Sequence, residues 1–318
     1  MTDFGSDSDR DPANRGYRRL FDGDLTVGLS FPITTDDEPL PSGGFDDQFG
    51  RARYAADLGF DALWVRDVPT FWPEFGDAGQ IHDPFVHLSE VAARTEDVAL
   101  GTASVALPLR HPLHVAKAAA SIDRLSGGRL VLGVGTGDRP PEYAAFGVDR
   151  EARGERFRES VRVLRAAWGE AFPEVGTSRC RLEGDLDVVP KPETGTVPLL
   201  VTGRSRQSLE WIAERGDGWL NYQLPLDTLE ATVGDWRAAT ARRKPYAATL
   251  AVHLDSDPTA DATPIHQGFA AGADWFRERF AALADRGVDH VIVSFRGDDR
   301  PVRDVLEEFG TDVLGSSV

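Results

Sequence analysis

A chain of 318 residues that is 41% hydrophobic and 27% charged has the balance of a folded globular protein, which excludes a disordered or fibrous one. No stretch approaches the roughly 20 apolar residues that a membrane helix needs, and Cys180 stands alone, so neither an internal disulfide nor a cysteine-based metal site is available. Fifty-two acidic side chains against 35 basic ones give a formal charge of −17, a field that repels nucleic acid and anionic lipid, so neither is expected as a partner.

Lys117, Lys191 and Lys244 are the only lysines. An Asp-rich, Lys-poor surface suits a salty, halophilic cytoplasm, where charge repulsion is screened; a GC-rich genome writing Arg for Lys gives the same composition. The start, Met1 to Arg10, is polar and acidic and lacks the basic and apolar run of a secretion signal, so a cytoplasmic protein is expected. Residues 1–20 read as a loose acidic tail, and 21–318 as one domain with no low-complexity linker.

From there strand and helix signals alternate. Leu25–Phe31 alternates as a strand does. Phe45, Phe49, Ala52 and Ala56 recur at helical spacing, and Gly59 ends that helix. Asp61–Arg66 is the second strand. Pro84 opens a helix carrying Phe85, Leu88 and Val91, and Val98–Ser104 is the third strand. A helix over Pro112–Leu125 leads to the fourth, Arg129–Gly135. Phe157, Val161, Leu164 and Trp168 mark a long helix, followed by an irregular insert around Cys180–Pro192. Val197–Thr202, Gly218–Tyr222, Thr249–His253 and His290–Phe295 complete eight strands. Phe269, Ala273, Phe276, Phe280 and Leu283 predict one helical stripe, and Val302, Val305, Leu306 and Phe309 a last helix. Eight strand-then-helix units in one run predict an α/β fold, a (β/α)8 TIM barrel with an insert after the fourth unit; a doubly wound open sheet is the competitor.

A barrel of this kind puts its active site at the C-terminal strand ends. After strand two, Arg66, Asp67 and Trp72 either cap a loop or line a ligand pocket. After strand three, His111 before Pro112 reads as a structural cap rather than a catalyst. After strand four, Gly133, Gly135 and Gly137 allow either a tight turn or close approach of a flat or anionic ligand. The dinucleotide spacing Gly-x-Gly-x-x-Gly fails there, and Pro140 and Pro141 fall where its helix would have to start. After strand five, Gly203, Arg204, Ser205, Arg206 and Ser208 enter a helix, either as an ordinary serine cap or as a phosphate cradle. No His-x-His, His-Glu-x-x-His, Gly-x-Ser-x-Gly or Walker pattern occurs, so no metal site is expected.

Leu100–Pro108 through His111-Pro112, then Asp123–Leu130 and Phe146-Gly147, resemble the luciferase-like flavin oxidoreductases, the group of bacterial luciferase, alkanesulfonate monooxygenase and the deazaflavin (coenzyme F420) dependent reductases. The resemblance runs from about Leu25 to the last helix and implies a TIM barrel. It implies a non-proline cis peptide at Ala103–Ser104 supporting a flavin ring. Thr136 and Gly137 would contact the flavin side chain and phosphate and Ser205 and Ser208 would hold the phosphate, with Gly135, Gly203 and Arg204 as further cofactor-binding candidates. Arg66, Asp67, Trp72, His82, Arg110 and Arg139 are the pocket candidates, with Asp67 and Arg110 the candidate catalytic groups. One departure stands out: where luciferase has a histidine after the acidic residue beyond strand two, this chain has Val68, so a general base of that kind is missing.

The implied activity is a flavin-dependent monooxygenase using reduced FMN and oxygen on a small organic substrate. A partner flavin reductase and a homodimer are expected with it. The alternatives are F420-dependent hydride transfer and a flavin-binding protein without catalysis.

Overall fold

The computed structural model describes residues 13–33, 48–75, 82–296 and 300–315. In chain order the elements are α1 (Arg15–Phe21), β1 (Thr26–Ser30), α2 (Gln48–Asp57), β2 (Ala62–Val65), α3 (Pro84–Arg94), β3 (Ala99–Ala106), α4 (Pro112–Leu125), β4 (Leu130–Gly135), α5 (Pro140–Ala145) and α6 (Arg153–Gly169). They continue with β5 (Glu174–Gly176), β6 (Arg181–Glu183), β7 (Leu199–Thr202), α7 (Leu209–Arg215), β8 (Gly218–Asn221), α8 (Leu226–Ala239) and β9 (Tyr246–Leu254). The last are β10 (Thr263–Ile265), β11 (Gly268–Ala271), α9 (Ala273–Asp285), β12 (His290–Phe295) and α10 (Val302–Glu308).

Eight parallel strands pair in the ring β1-β2-β3-β4-β7-β8-β9-β12 and close where β12 meets β1, so the barrel and not the open sheet is correct. The insert after α6 contains the antiparallel pair β5–β6. Helix starts follow the sequence signals. Asp83 caps α3 by accepting from Phe85 N and Val86 N, with Pro84 at the first helical position, and His111 caps α4 by accepting from Leu113 N.

Three expectations are corrected. Phe269 lies in β11, not in the helix of its apparent stripe; the hairpin β10–β11 takes residues 263–271 before α9 begins, and β11 pairs in parallel with β9. The serine-bearing turn after β7 is not helical, because α7 starts only at Leu209. The loose tail is wrong for residues 15–20, which belong to α1; residues 1–12 lie outside the described residues, as does Phe45.

α1 is held by buried Asn14. Its side chain accepts from Tyr17 N and donates to Asp123 Oδ1 (2.8 Å) and Leu130 O (2.7 Å). Leu20 and Phe21 then enter the lower barrel and pack with Trp64, Ala99, Val131, Leu200 and Ile292. Trp64 fills the lumen because two neighbours are glycines: a Cβ on Gly101 would lie 2.2 Å from the indole, and one on Gly28 2.6 Å from it. The indole N–H donates to His290 Nε2 at 2.9 Å, so the neutral ring carries its proton on Nδ1, 2.7 Å from Thr26 Oγ1. That hydroxyl donates onward to Leu20 O at 3.0 Å. Burial pushes His290 down to about 3, so the chain stays neutral near pH 7.

Outside the barrel, His87 packs between Phe31 and Phe49 with neither ring nitrogen hydrogen-bonded, and burial pushes it down to about 4. An unfolded histidine takes a proton near pH 6.5 that folded His87 refuses until about pH 4, so stability falls as pH drops through that window. His87→Phe is expected to make the loss between pH 7 and pH 4 smaller by roughly 2–3 kcal/mol, read from urea midpoints. An equal loss in both proteins would refute the neutral-burial account. Gly101→Ala is expected to lower stability by about 1–3 kcal/mol by overpacking against Trp64. Gly234→Ala in α8, where an added Cβ meets nothing within 4 Å, serves as the control and should be neutral or mildly stabilising.

Candidate functional site

Above Trp64 the lumen opens into a cavity of about 360 Å³ at the C-terminal strand ends, within the range of roughly 300–1,000 Å³ typical of small-ligand sites. Leu220 and Ile292, which also pack in the lower lumen, line it from below.

One wall is the end of β3. The Ala103–Ser104 peptide is cis, as the resemblance implies, and the β3–β4 register shifts between Thr102 and Val105. Facing it is the glycine run of β4. A Cβ on Gly133 would sit 1.9 Å from Thr102 O, and one on Gly135 2.8 Å from Ser104 Oγ and 3.8 Å from Ser205 Oγ. A side chain at Gly135 would therefore press on the Ser104 hydroxyl and reach van der Waals contact with that of Ser205. Gly137, at φ 85°, turns the chain away, and the Tyr143 hydroxyl beneath donates to Thr136 O.

The opposite lip is the turn after β7. Gly203, Ser205 and Arg206 all have positive φ, at 53°, 43° and 62°. For the two non-glycine residues this conformation costs roughly 1–2 kcal/mol each, a strain typical of ligand-holding turns. Trp219 supports the turn, its indole N–H donating to Gly203 O at 2.7 Å, and the Arg204 guanidinium lies 5.3 Å over the same ring. Ser205 is buried and donates to Thr202 O at 2.7 Å, while the Thr202 hydroxyl beside it is buried with no partner.

The acidic groups divide by partner. Asp67 has a fully buried side chain in a bidentate pair with Arg110, at 2.8 and 2.6 Å, and also accepts from Ala106 N. Arg110 reaches Asp83 Oδ2 at 2.8 Å as well. Burial lowers the Arg110 guanidinium, but its bonds to Asp67 and Asp83 outweigh that and hold it above its ordinary value. Glu142 is buried in the cavity wall, accepting from Thr70 Oγ1 at 3.1 Å. Burial raises its carboxyl above the usual range, and the Thr70 bond and Arg139 charge only partly offset this. Glu142 is therefore the wall carboxyl best suited to hold a proton.

The structure brings Arg66, Asp67, Ala103, Ser104, Gly135, Thr136, Gly137, Arg139, Gly203, Arg204 and Ser205 to the cavity. Arg110, Trp72, His82 and Ser208 are not among its lining residues. Arg110 sits behind Asp67 as a positioning group. Three donors occupy the carboxylate of Asp67, which itself lines the cavity wall as the expected polar positioner. Ser208 is exposed and caps α7, accepting from Trp211 N at 3.2 Å. Trp72 packs on Phe75, and His82 stacks with Phe49.

Sequence reasoning missed Glu142, Thr202, Tyr222, Gln267 and Arg296 in the wall. Pro140 and Pro141 were the available signal for Glu142. They do not forbid a helix but occupy the first turn of α5, where missing N–H groups cost nothing, and so set Glu142 at its third position. Among the described residues no cluster of His, Cys, Asp or Glu could hold a metal ion. A flat ring with an anionic side chain fits this site on two counts. The gap at Gly135 would be filled by any Cβ, and the Thr202 hydroxyl is an orphan beside Ser205.

Residues 25–308 match the family described as luciferase-like monooxygenase. An uncharacterised protein of Mycobacterium tuberculosis is 34% identical over 192 residues, 55% of this chain and 67% of that protein. The F420-dependent glucose-6-phosphate dehydrogenase of Kineococcus radiotolerans is 33% identical over 176 residues, 52% of this chain and 49% of that one. The crystal structure of the monooxygenase RslO1 from Streptomyces bottropensis superposes with a TM-score of 0.75 at 20% identity, covering 92% of this chain and 99% of that one, a likeness of fold.

The Asp67–Arg110 pair can be tested apart from any ligand. Arg110→Ala leaves a buried carboxylate without its cation and is expected to cost about 3–5 kcal/mol. Adding Asp67→Asn removes that charge and should recover part of the loss in denaturant midpoint. A double variant no more stable than Arg110→Ala would refute the pairing argument.

Proposed function

Since the chain belongs to the luciferase-like monooxygenase family, we propose that it is an oxidoreductase whose cavity holds a flavin-type ring against the Ala103–Ser104 bulge, with the anionic side chain at Gly203–Ser205. The observation that carries this reading is the convergence of Ser104, Gly135 and Ser205 on one gap that a single Cβ would close. When bound, such a cofactor supplies the redox chemistry, as a reduced flavin reacting with oxygen or as a deazaflavin exchanging hydride.

The chain's own contribution is binding, orientation and exclusion of water. The unpartnered Thr202 hydroxyl would donate to a phosphate, Ser205 would do so by turning from Thr202 O, and Arg204 offers charge. Leu220 and Ile292 close the lumen below, so one face of the ring is dry. Arg66 and Arg296 leave β2 and β12, the strands flanking β1 and opposite β7 in the ring. A small organic substrate is placed there, between these arginines and Phe31, Phe75 and Phe295. Glu142, whose carboxyl is raised by burial, is the wall acid proposed to exchange a proton with it.

Two versions of the chemistry are retained. The family is described as luciferase-like monooxygenase, which supports an oxygen-using version, proposed here with reduced FMN from a separate reductase. The 33% identical relative is named F420-dependent, which supports hydride transfer. Titration of the purified protein with FMN and with F420 is expected to give saturable binding of one of them. Ser205→Asp, a residue tolerated at positive φ, should weaken that binding about ten-fold or more by setting a carboxylate against the phosphate. Binding untouched by Ser205→Asp, or none of either cofactor, would remove the reading. Cofactor binding with no turnover on a broad substrate panel would favour a carrier without catalysis.

A further inference from the structure

Two arginines reach one height of the barrel from either side of β1. Ser30 of β1 stands opposite Trp64 of β2, and Leu29 opposite Val293 of β12. The same registers carried onward set Arg66 and Arg296 on the two flanks of Pro32. Side chains alternate along a strand, so both arginines face the lumen: Trp64 fills it two residues before Arg66, and Ile292 and Ser294 line it before Arg296. Their backbones stand two strand spacings apart, about 10 Å, and two arginine side chains can close on one head group across that span.

The donors here are side chains, because the backbone offers none. Pro32 has no N–H, Phe31 N donates to Trp64 O at 2.7 Å, and Arg296 N donates to Val252 O at 2.9 Å. The Ser30 and Ser294 hydroxyls lie one layer below the arginines. Gln267 adds a carboxamide from the turn of the hairpin β10–β11, at φ 59°. That hairpin is pressed onto β9, where a Cβ on Gly268 would sit 1.8 Å from Ala251 O and Ala251 N donates to Gln267 O. The acids of the cavity wall are held by other groups, Asp67 by Arg110, Asp138 by Arg139 and Glu142 by Thr70. The Arg296 guanidinium has no hydrogen bond or ion pair with any of the described residues. Burial raises the Tyr222 hydroxyl, and Arg66 is among the charges that oppose this from across the ring, so its field reaches the cavity.

This donor set differs from that of the turn after β7, where two hydroxyls and one guanidinium suit a phosphate. Two planar forks, each with parallel N–H groups, match a planar carboxylate. We propose that the substrate of this cavity is a small organic carboxylic acid, bound as its anion between Arg66 and Arg296. The clamp stands on the strand registers, and its role as the substrate site rests on the function proposed above.

The test is calorimetric titration of the whole protein, with and without saturating cofactor. The probes are phenylacetate and hexanoate, the alcohols of the same skeletons (phenylethanol and hexanol), and benzyl phosphate. Each acid is expected to bind about ten-fold tighter than its alcohol, and the gap should shrink as salt rises. Arg66→Gln and Arg296→Gln should each weaken the acids about ten-fold and leave the alcohols unchanged, and Arg296→Lys, which keeps the charge without the fork, should recover part of the loss. The acids should stay bound when the cofactor saturates its own site. No acid binding, equal affinity of acid and alcohol, or an acid preference kept in both glutamine variants would each overturn the proposal. So would displacement of the acids by the cofactor, or tighter binding of benzyl phosphate than of either acid to the cofactor-loaded protein. An acid preference lost in the variants of a protein that binds neither FMN nor F420 would keep the clamp and remove the oxidoreductase reading instead.

Discussion

A closed ring of eight parallel strands encloses a lumen only about as wide as the side chains that fill it, so a ligand site exists only at the level where filling stops. In this chain the lower lumen is filled by one indole and a plug. Trp64 spans it because Gly28 and Gly101 give up their side chains, and α1 seals the floor with Leu20 and Phe21. His290 makes that arrangement single-valued: it accepts from Trp64 and donates its Nδ1–H to Thr26 Oγ1, which in turn donates to Leu20 O of α1. Above Leu220 and Ile292 the wall residues become Gly135, Gly137, Ala103 and Ser104, too small to meet across the barrel. The cavity is the space that those choices leave.

Charge is arranged on the same principle of local exception. The chain as a whole is strongly acidic, yet Arg66, Arg139, Arg204 and Arg296 all line the cavity. Of the wall's carboxyl groups, Asp67 is neutralised by Arg110, Asp138 faces Arg139 at 3.5 Å, and the Glu142 carboxyl is raised by burial. Two of the wall's acids are thus paired with arginine, and the third has its carboxyl raised by burial. In a protein that repels anions elsewhere, four arginines around one cavity favour an anionic ligand at that place.

The barrel was legible because its evidence is periodic and repeated. Strand runs such as Leu130–Gly135 and helical spacing such as Phe157–Trp168 recur along the chain, and no single misreading changes the count. What failed was local. Arg15–Phe21 reads as polar because its apolar contribution is two residues at one end, and its anchor, Asn14, acts through Asp123 and Leu130, more than a hundred positions away. Phe269 matched a helical stripe by spacing alone, while the strand it occupies is set by pairing with β9. The site was half legible. Glycines and serines at strand ends named the gap, because their conformational freedom and hydroxyls are properties of the residues themselves. Whether Asp67 is a free acid or a buried ion-pair partner depends on what faces it, and Arg110 arrives from another loop.

The sequence block that most resembles the family divides between the two ends of the barrel, and the two parts mean different things. Asp123 to Arg129 lies at the lower end. Asp123 joins Asn14 of the α1 cap to Glu193 N, and buried Arg129 donates five hydrogen bonds to Ala92, Thr95, Val98 and Ser126, with the pKa of its guanidinium lowered to about 10 by burial. Conformity there reports how the α4–β4 turn is built, since the lower face of such barrels serves stability. A chain could keep every one of those bonds and bind nothing. Ala103 and Ser104 lie at the upper end, and their conformity has consequences only together with Gly135 and Ser205, which come from two other strand ends and close on the same gap. The functional reading therefore rests on that three-strand coincidence, which no contiguous stretch of sequence contains.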